Sequence, residues 1–314
     1  MVTNTMIRRK QRVLITGANG LLGQKLVARL LEMEGFDILA TGRGACRLPK
    51  AWQGFDYQEL DHTNLIEVAK VFRRYQPGIV MHGGAMTQVD SCEENQAECH
   101  KQNVEATAYI MQECRKINSH LIFVSTDFIF DGEEGPYGEE AIGKPVNFYG
   151  ESKLLAEDAV IGSGLLLWTI VRTVLVYGIA HDMSRSNLVL WVKESLEKGK
   201  TIQVVDDQFR SPTLAEDLAE GIIQIAAKKA VGIYNICGPD YITPYQMAVM
   251  AAEYFKLDKS KIININSSAL AHKANRPLKT GLFIDKAIKE LDYRPKSFTE
   301  GIGILAKQLK LATS

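Results

Sequence analysis

The sequence predicts an α/β fold, a doubly wound parallel sheet with a smaller C-terminal α+β substrate lobe, and three observations predict it. An apolar run ends in glycines spaced three apart and leads into a helix; strand-length apolar runs then alternate with helix-length periodic segments; and that alternation loosens beyond Tyr177. Such alternation builds a parallel sheet covered on both faces, because parallel strands are joined by crossovers that lay helices over the sheet.

The first strand is Val13 to Thr16. Gly17, Gly20 and Gly23 follow, with Ala18, Asn19, Leu21 and Leu22 between them, and all of these but Ala18 are candidate cofactor-binding residues. Gly17 permits a tight turn, Gly20 lets backbone approach a pyrophosphate, and Gly23 lets the next helix sit close to its strand with its N-terminus facing phosphate. The helix Gln24 to Met33 places Leu26, Leu30 and Leu31 on one face, and Asp37 to Ala40 is the second strand. Strand, glycine turn, helix and strand make one right-handed crossover, the opening unit of a Rossmann-type dinucleotide-binding sheet. Strands at Ile79 to His82, Leu121 to Ser125 and Thr169 to Val174 continue it, separated by helical segments at Leu65 to Tyr75, Gln96 to Lys116 and Tyr149 to Ile161.

Beyond Tyr177 the sequence predicts a helix over Ser184 to Lys198, a short strand at Ile202 to Val205, and a helix over Leu214 to Ala227 that returns to the first domain. From Ile233 short strands mix with helices at Pro244 to Phe255 and Asp285 to Leu291. Residues 1–175, with 206–230 packing back, form the expected dinucleotide-binding domain, and 176–314 the substrate lobe. A cleft lies between them at the carboxyl ends of the strands.

Composition narrows the function. The chain has 314 residues, 46% of them apolar, and 37 basic side chains balance 37 acidic ones. No net field draws it to nucleic acid or an anionic membrane. Arg8, Arg9, Lys10 and Arg12 read as a solvated N-terminal arm. The longest apolar stretch, Leu165 to Tyr177, is broken by Arg172 and is too short to span a bilayer, and no signal peptide precedes the first strand. The five cysteines (Cys46, Cys92, Cys99, Cys114 and Cys237) are odd in number and scattered, as in a reducing cytoplasm. Cys92, Cys99 and His100 are separated by a polar segment and read as partly buried thiols rather than ligands, so no metal site is expected.

The chemistry centres on Tyr149 and Lys153. A four-residue spacing sets both on one helix face, where an ammonium favours the phenolate and lowers the tyrosine pKa. Such a phenol can exchange a proton with a carbonyl oxygen while hydride moves at carbon. Ser125 and Thr126, at a strand end upstream, offer a hydroxyl to the same oxygen. For the cofactor, a carboxylate after the second strand would receive a ribose hydroxyl, whereas a 2′-phosphate calls for a cation. Thr41-Gly42-Arg43-Gly44-Ala45-Cys46-Arg47 holds no acid, so Arg43 is the candidate phosphate ligand and NADPH is favoured over NADH.

These motifs resemble the extended short-chain dehydrogenase/reductase superfamily. Within it, Thr87-Gln88-Val89-Asp90-Ser91-Cys92-Glu93, Ser125-Thr126-Asp127-Phe128-Ile129-Phe130-Asp131-Gly132, Asp207-Gln208-Phe209-Arg210-Ser211-Pro212-Thr213 and Arg276-Pro277 with Asp285-Lys286 resemble the dTDP-4-dehydrorhamnose reductase family across nearly the whole chain. The resemblance implies Tyr149 as proton donor, Lys153 as its partner, and Thr126 as the hydroxyl that polarises the substrate, with Ser125 as the alternative. It places Gly20, Leu21 and Leu22 at the pyrophosphate, Asp61 and His62 near adenine, and Gly84, Ala85 and Thr87 along the ribose and nicotinamide. Thr126 and Asp127 face the sugar.

It further implies a nucleotide-sugar substrate, reduction of its 4-keto group, and a homodimer as the assembly it admits. Three departures stand out. His82-Gly83-Gly84-Ala85 replaces the family's Asn-Ala-Ala-Ala, and His82 reads as a hydrogen-bonded structural histidine, with a contact to cofactor phosphate or substrate as the alternative. Leu175 follows Arg172-Thr173-Val174 where the family carries a tryptophan beside the sugar, and Ala180 to Asn187 lacks the usual glycine-and-asparagine run. Two alternatives remain open. One is a sugar-nucleotide epimerase or dehydratase, although Phe128 stands where dehydratases place a glutamate. The other is a cofactor-binding regulatory subunit like that of methionine adenosyltransferase.

Overall fold

The computed structural model describes residues 10–183, 186–271 and 273–313. In chain order the elements are β1 (Gln11–Thr16), α1 (Leu21–Leu31), β2 (Phe36–Gly42), β3 (Asp56–Glu59), α2 (Leu65–Tyr75), β4 (Ile79–His82), α3 (Val89–Glu94), α4 (Gln96–His100) and α5 (Ala106–Ile117). They continue with β5 (His120–Thr126), α6 (Phe148–Ile161), β6 (Trp168–Thr173), β7 (Val176–Tyr177), α7 (Leu188–Glu197), β8 (Ile202–Val205) and β9 (Thr213–Leu214). The last are α8 (Ala215–Lys228), β10 (Gly232–Asn235), α9 (Pro244–Phe255), β11 (Ile262–Ile265), α10 (Asp285–Leu291) and α11 (Phe298–Thr313).

Seven parallel strands form the large sheet in the order β10-β6-β5-β4-β1-β2-β3. Order reverses between β1 and β4, where a doubly wound sheet opens its binding crevice. Strand side chains alternate between two apolar cores. Val13, Ile15, Ile38, Met81 and Ile122 meet α1 and α8 on one face, while Leu14, Leu39, Val80, Leu121 and Phe123 meet α2 and α5 on the other. Both faces being buried explains why these strands read as continuous apolar runs. A third core, with Tyr177, Val192, Ile202, Met247, Phe298 and Ile302, builds the small lobe around β8 and β11.

Several elements differ from the sequence reading. β3 is a polar edge strand with no buried residue, so it carries no hydrophobic signal. β10, which the sequence assigns to the substrate lobe, is the seventh strand of the large sheet, and α10 joins the core beneath it through Ala287 and Leu291. α8 packs on α1 through Leu218 and Ile222, reinforced by Arg29–Glu220 (2.8 Å) and Lys25–Glu216 (2.7 Å). The long helix expected over Gln96 to Lys116 contains a π-helical turn at Lys101–Glu105. The helix expected from Ser184 begins at Leu188; residues 184 and 185 lie outside the described residues, as do Arg8 and Arg9. Arg12 is not a solvated arm residue, for it donates to the Tyr75 carbonyl at 2.6 Å and ties β1 to α2. Four cysteines are buried, Cys46 is exposed, and none of the five is in a disulfide. Among the described residues no helix is long and apolar enough to cross a membrane.

Burial also sets an acid limit on stability. His120 is 2% exposed, its Nε2 shares a hydrogen bond with Thr169 Oγ1 (2.8 Å), and burial drives its pKa from 6.5 down to about 4. Between those values the unfolded chain binds a proton that the native chain refuses, so stability falls as pH falls. His62 and His82 are depressed by burial in the same direction. Urea unfolding is expected to show a loss on the order of 3 kcal/mol from His120 alone between neutrality and its folded pKa. A flat urea midpoint from about pH 7 to about pH 5 would count against these neutral buried histidines.

Candidate active site

The glycine turn is sterically obligatory. Gly17 has φ 71°, and a Cβ on it would come within 3.0 Å of the Gly84 nitrogen; a Cβ on Gly23 would lie 2.4 Å from the Gly17 carbonyl oxygen. Gly20 is the N-cap of α1, and no side chain caps that helix, which leaves its first-turn N–H groups for an anion. Leu21 and Leu22 are half-buried beside it.

Asn19 is spent differently from the sequence reading. Its amide donates to the carbonyls of Arg43 (3.3 Å) and Ala45 (3.0 Å) and to the Tyr57 hydroxyl (2.9 Å), and its oxygen accepts from Arg47 N (2.8 Å). The side chain therefore shapes the loop after β2 instead of facing a ligand. Arg43 on that loop is exposed and makes no ion pair among the described residues. The sequence finds no acid here, but β3 supplies one: Glu59 pairs in register with Gly42, and its carboxylate accepts from Gly44 N at 3.0 Å.

At the end of β4, His82 is a satisfied structural residue. Thr107 gives its proton to the Asn103 carbonyl (2.6 Å), so His82 Nε2 donates to Thr107 Oγ1 (3.1 Å), and Nδ1 accepts from Thr16 Oγ1 (2.7 Å). Thr16 in turn accepts from Gly84 N at 3.2 Å, fixing the β4 loop. Ala85 is half-buried and Thr87 exposed on that loop. His62 is buried against Gly84, where a Cβ would meet its Cε1 at 3.0 Å, which accounts for glycine in place of the family's alanine. Asp61 holds its own turn, accepting from Thr63 N (3.0 Å) and Thr63 Oγ1 (2.8 Å).

The fold brings Tyr149, Lys153, Ser125 and Thr126 together. Asn147 caps α6 by accepting from Gly150 N at 2.9 Å, and a Cβ on Gly150 would lie 2.0 Å from the Phe128 carbonyl oxygen. The first turn of α6 thus presses on the loop after β5, and Tyr149 lies buried with its hydroxyl against Thr126 and its ring edge-on to Phe128. The electrostatics reverse one expectation. Burial pushes the Tyr149 pKa up, and burial lowers Lys153 to about 7 although its Nζ donates to the Val124 carbonyl (2.8 Å) and sits over the Phe123 ring (4.0 Å), contacts that favour the ammonium. Desolvation outweighs the Thr126 hydrogen bond that opposes it, so the phenol is protonated at neutral pH.

Ser125 Oγ is buried without a hydrogen-bond partner. Thr126 Oγ1 donates to Asp127 Oδ1 (3.1 Å) and accepts from Phe128 N (3.2 Å). Asp127 does not face an open sugar site: it is 3% exposed, and Thr280 donates to its other oxygen. Leu175, at φ 37° and half exposed, lines a cavity of about 270 Å³ with Tyr177, Asn187, Pro212, Met247 and Phe298.

The sequence reading misses Asn103 and Ser152. Asn103 lies in the π-helical turn, donates to Ser152 Oγ (2.9 Å) and the Met86 carbonyl (3.0 Å), and accepts from Met86 N (2.8 Å), tying the β4 loop to α6 beside Tyr149. Helical π-turns recur at functional sites, but nothing in the residue pattern marks this one.

A family model described as the RmlD substrate binding domain matches residues 11–311. The chain belongs to that family. Among its relatives is the spore coat polysaccharide biosynthesis protein SpsK of Bacillus subtilis (strain 168), 30% identical over 93% of this chain and 95% of that protein. The methionine adenosyltransferase 2 subunit beta of Bos taurus is 30% identical over 85% of this chain and 78% of that one. The solved dTDP-4-dehydrorhamnose reductase of Bacillus anthracis str. Ames in complex with NADP superposes with a TM-score of 0.83 at 25% identity, covering 95% of this RmlD-family chain and 99% of that chain.

Proposed function

We propose that this RmlD-family chain is an NADPH-dependent oxidoreductase that reduces the 4-keto group of a nucleotide-linked deoxysugar, the reaction named for the dTDP-4-dehydrorhamnose reductases it resembles. The observation that carries the reading is a buried Tyr149 whose hydroxyl meets Thr126, with the buried Lys153 four residues on along α6 at the carboxyl edge of the sheet, and burial keeps that phenol protonated. A phenol in that state suits carbonyl reduction, where the new alcohol needs a proton.

The glycine cradle fits a dinucleotide. Gly17 and Gly23 let the turn close tightly on the β4 loop and on α1, and the uncapped α1 terminus offers N–H groups to the pyrophosphate. Leu21 and Leu22 would flank that pyrophosphate, Arg43 would take the 2′-phosphate, Asp61 and His62 would lie toward adenine, and Gly84, Ala85, Thr87 and Ser125 would line the ribose and nicotinamide side. Bound NADPH supplies the hydride. Tyr149 gives its proton to the carbonyl oxygen, Lys153 fixes the helix face below it, and the developing negative charge on that oxygen is met by hydroxyl hydrogen bonds. The lobe within 176–314 holds the nucleotide-sugar, with Leu175 at its mouth. Five cysteines outside any disulfide support a reducing cytoplasm.

NADPH oxidation with dTDP-4-dehydro-6-deoxy-L-mannose tests the reading. Turnover is the expected result. Cofactor binding without turnover on any of several keto-sugar nucleotides would move the assignment to a regulatory subunit, the second reading, which the likeness to methionine adenosyltransferase 2 subunit beta and the inward-turned Asp127 favour. Arg43→Ala is expected to weaken NADPH more than NADH in fluorescence titrations. Equal weakening of both would show that Arg43 does not read the phosphate, and would point to Glu59 as the residue that sets cofactor choice on this loop.

A further inference from the structure

Asp90 and Arg276 come from two of the sequence motifs and have no part in the scheme above, yet the fold joins them. Asp90 stands in the first turn of α3, and Arg276 lies 186 residues later, between β11 and α10. Arg276 donates Nη1 and Nη2 to the two carboxylate oxygens of Asp90 at 3.0 and 2.7 Å, a forked contact that fixes orientation as well as distance. The same carboxylate accepts from Lys273 N (3.2 Å) and Ala274 N (3.1 Å), and Arg276 Nη1 also donates to the Ala274 carbonyl (2.9 Å). Lys273 pairs with Glu94, one turn further along α3. Residues 273–276 are thus folded around the side chains of one short helix.

From there the chain runs as a strap past the start of α6. The Asn275 carbonyl accepts from Asn147 Nδ2 (2.8 Å), the side chain whose Oδ1 caps α6 at Gly150 N. The Pro277 and Leu278 carbonyls accept from Arg210 (2.7 and 3.0 Å), Lys279 N donates to the Gly132 carbonyl (3.0 Å), and Thr280 donates to Asp127. One end of the strap is fixed to α3, the other to the loop after β5, and it grips Asn147 between them. α3 also meets α6 directly. Glu93 Oε2 accepts from Phe148 N (3.0 Å), and Val89 and Cys92 pack in one small apolar cluster with Tyr149 and Phe148.

The side chains of Asp90 and Arg276 are 39% and 18% exposed, so in isolation the pair would be a screened surface contact. What it holds is buried: Ala274 is 3% exposed, Asn147 7% and Thr280 0%. We propose that Asp90 and Arg276 form a latch that fastens the strap 273–280 against the start of α6, and that both are positioning residues for Tyr149. With the latch closed, Glu93 and Asn147 hold the Phe148 and Gly150 amides, and the first turn of α6 stays pressed on Phe128, with the Tyr149 ring edge-on to it. The catalytic half of the inference rests on the reductase reading, whereas the coupling of strap to helix does not.

The test is amide hydrogen exchange of the full chain, read on peptides by mass spectrometry, beside the kinetics of NADPH oxidation with a keto-sugar nucleotide. Arg276→Gln is expected to speed exchange in the strap and also in the peptide that contains Phe148 and Gly150, because local opening is shared within a cooperative unit. It is expected to lower kcat about tenfold, inside the ~100-fold that misplacing a catalytic group can cost, while NADPH affinity holds. Arg276→Lys keeps the charge without the fork and is expected to recover part of both losses. Combined with Asp90→Asn, Arg276→Gln is expected to be little worse than either change alone, as for two residues acting through one contact.

Faster exchange confined to the strap, or unchanged exchange in both peptides, overturns the coupling. Coupled exchange with an unaltered kcat overturns the positioning role, and additive losses in the double variant overturn the latch itself. If Arg276→Gln does not fold, Asp90→Asn is judged by the same two peptides and the same kcat. A wild-type chain that oxidises no NADPH with keto-sugar nucleotides defeats the reductase reading instead, and hydrogen exchange still decides whether the latch holds the helix.

Discussion

Tyr149→Phe is expected to cut turnover at least ~100-fold while NADPH affinity changes little, which is the usual scale for losing a positioned general acid. The substitution removes one oxygen and leaves the ring that packs edge-on to Phe128, so the α6 start and the glycine cradle keep their shape. The loss should appear in kcat and kcat/KM together, as for an interaction made in the transition state, and a solvent isotope effect present in the parent should shrink. Stopped-flow NADPH oxidation with parallel fluorescence titration of cofactor binding checks both halves. Turnover unaltered by the substitution would remove the phenol from the reaction and with it the main support for a reductase.

The second large effect concerns Glu157 and Arg172, a pair with 1% and 5% side-chain exposure. Arg172 gives Nη2 and Nε to Glu157 Oε2 at 2.7 and 3.1 Å, and its Nη1 goes to the Glu139 carbonyl at 2.9 Å. The pair rivets β6 to α6, the helix that carries Tyr149 and Lys153. Glu157→Gln strands a buried guanidinium, and removing one partner of such a pair costs about 3–5 kcal/mol in urea unfolding. Replacing both with apolar residues of similar volume is expected to cost much less, since no charge is then left unpaired. A single-variant loss under about 1 kcal/mol would show that the pair behaves as a solvated one. The same carboxylate also raises the Lys153 pKa, so Glu157→Gln should move that ammonium below about 7 and shift the basic limb of activity downward. Unfolding and the pH profile therefore report one residue by two routes.

Much of the site is legible in the residues themselves because it is local. The glycines at 17, 20 and 23 act within a single turn, and the Tyr149–Lys153 spacing acts within a single helical turn. The parts that escape are those where distant segments meet. Glu59 reaches the β2 loop only through the β2–β3 register, and β3 itself shows no apolar pattern. Asp127 turns inward because Thr280, 153 residues away, donates to it. The Tyr149 pKa moves opposite to the expectation from the Lys153 spacing because burial, which no spacing reveals, is the largest influence on it. Asn103 is aimed at Ser152 by a π-helical turn that a regular helical period does not anticipate.

By itself, then, the sequence determined the doubly wound class, the dinucleotide turn and the phenol–ammonium pair, because strand and helix periods and steric freedom at glycine are properties of short stretches of chain. Tertiary structure alone decided that Gly232–Asn235 closes the edge of the large sheet, that Asn19 serves a loop instead of a ligand, that His82 is neutral and fully paired, and which charges stand buried beside Thr126. Register, desolvation and long-range hydrogen bonds depend on which segments come together, and that is settled only when the whole core is packed.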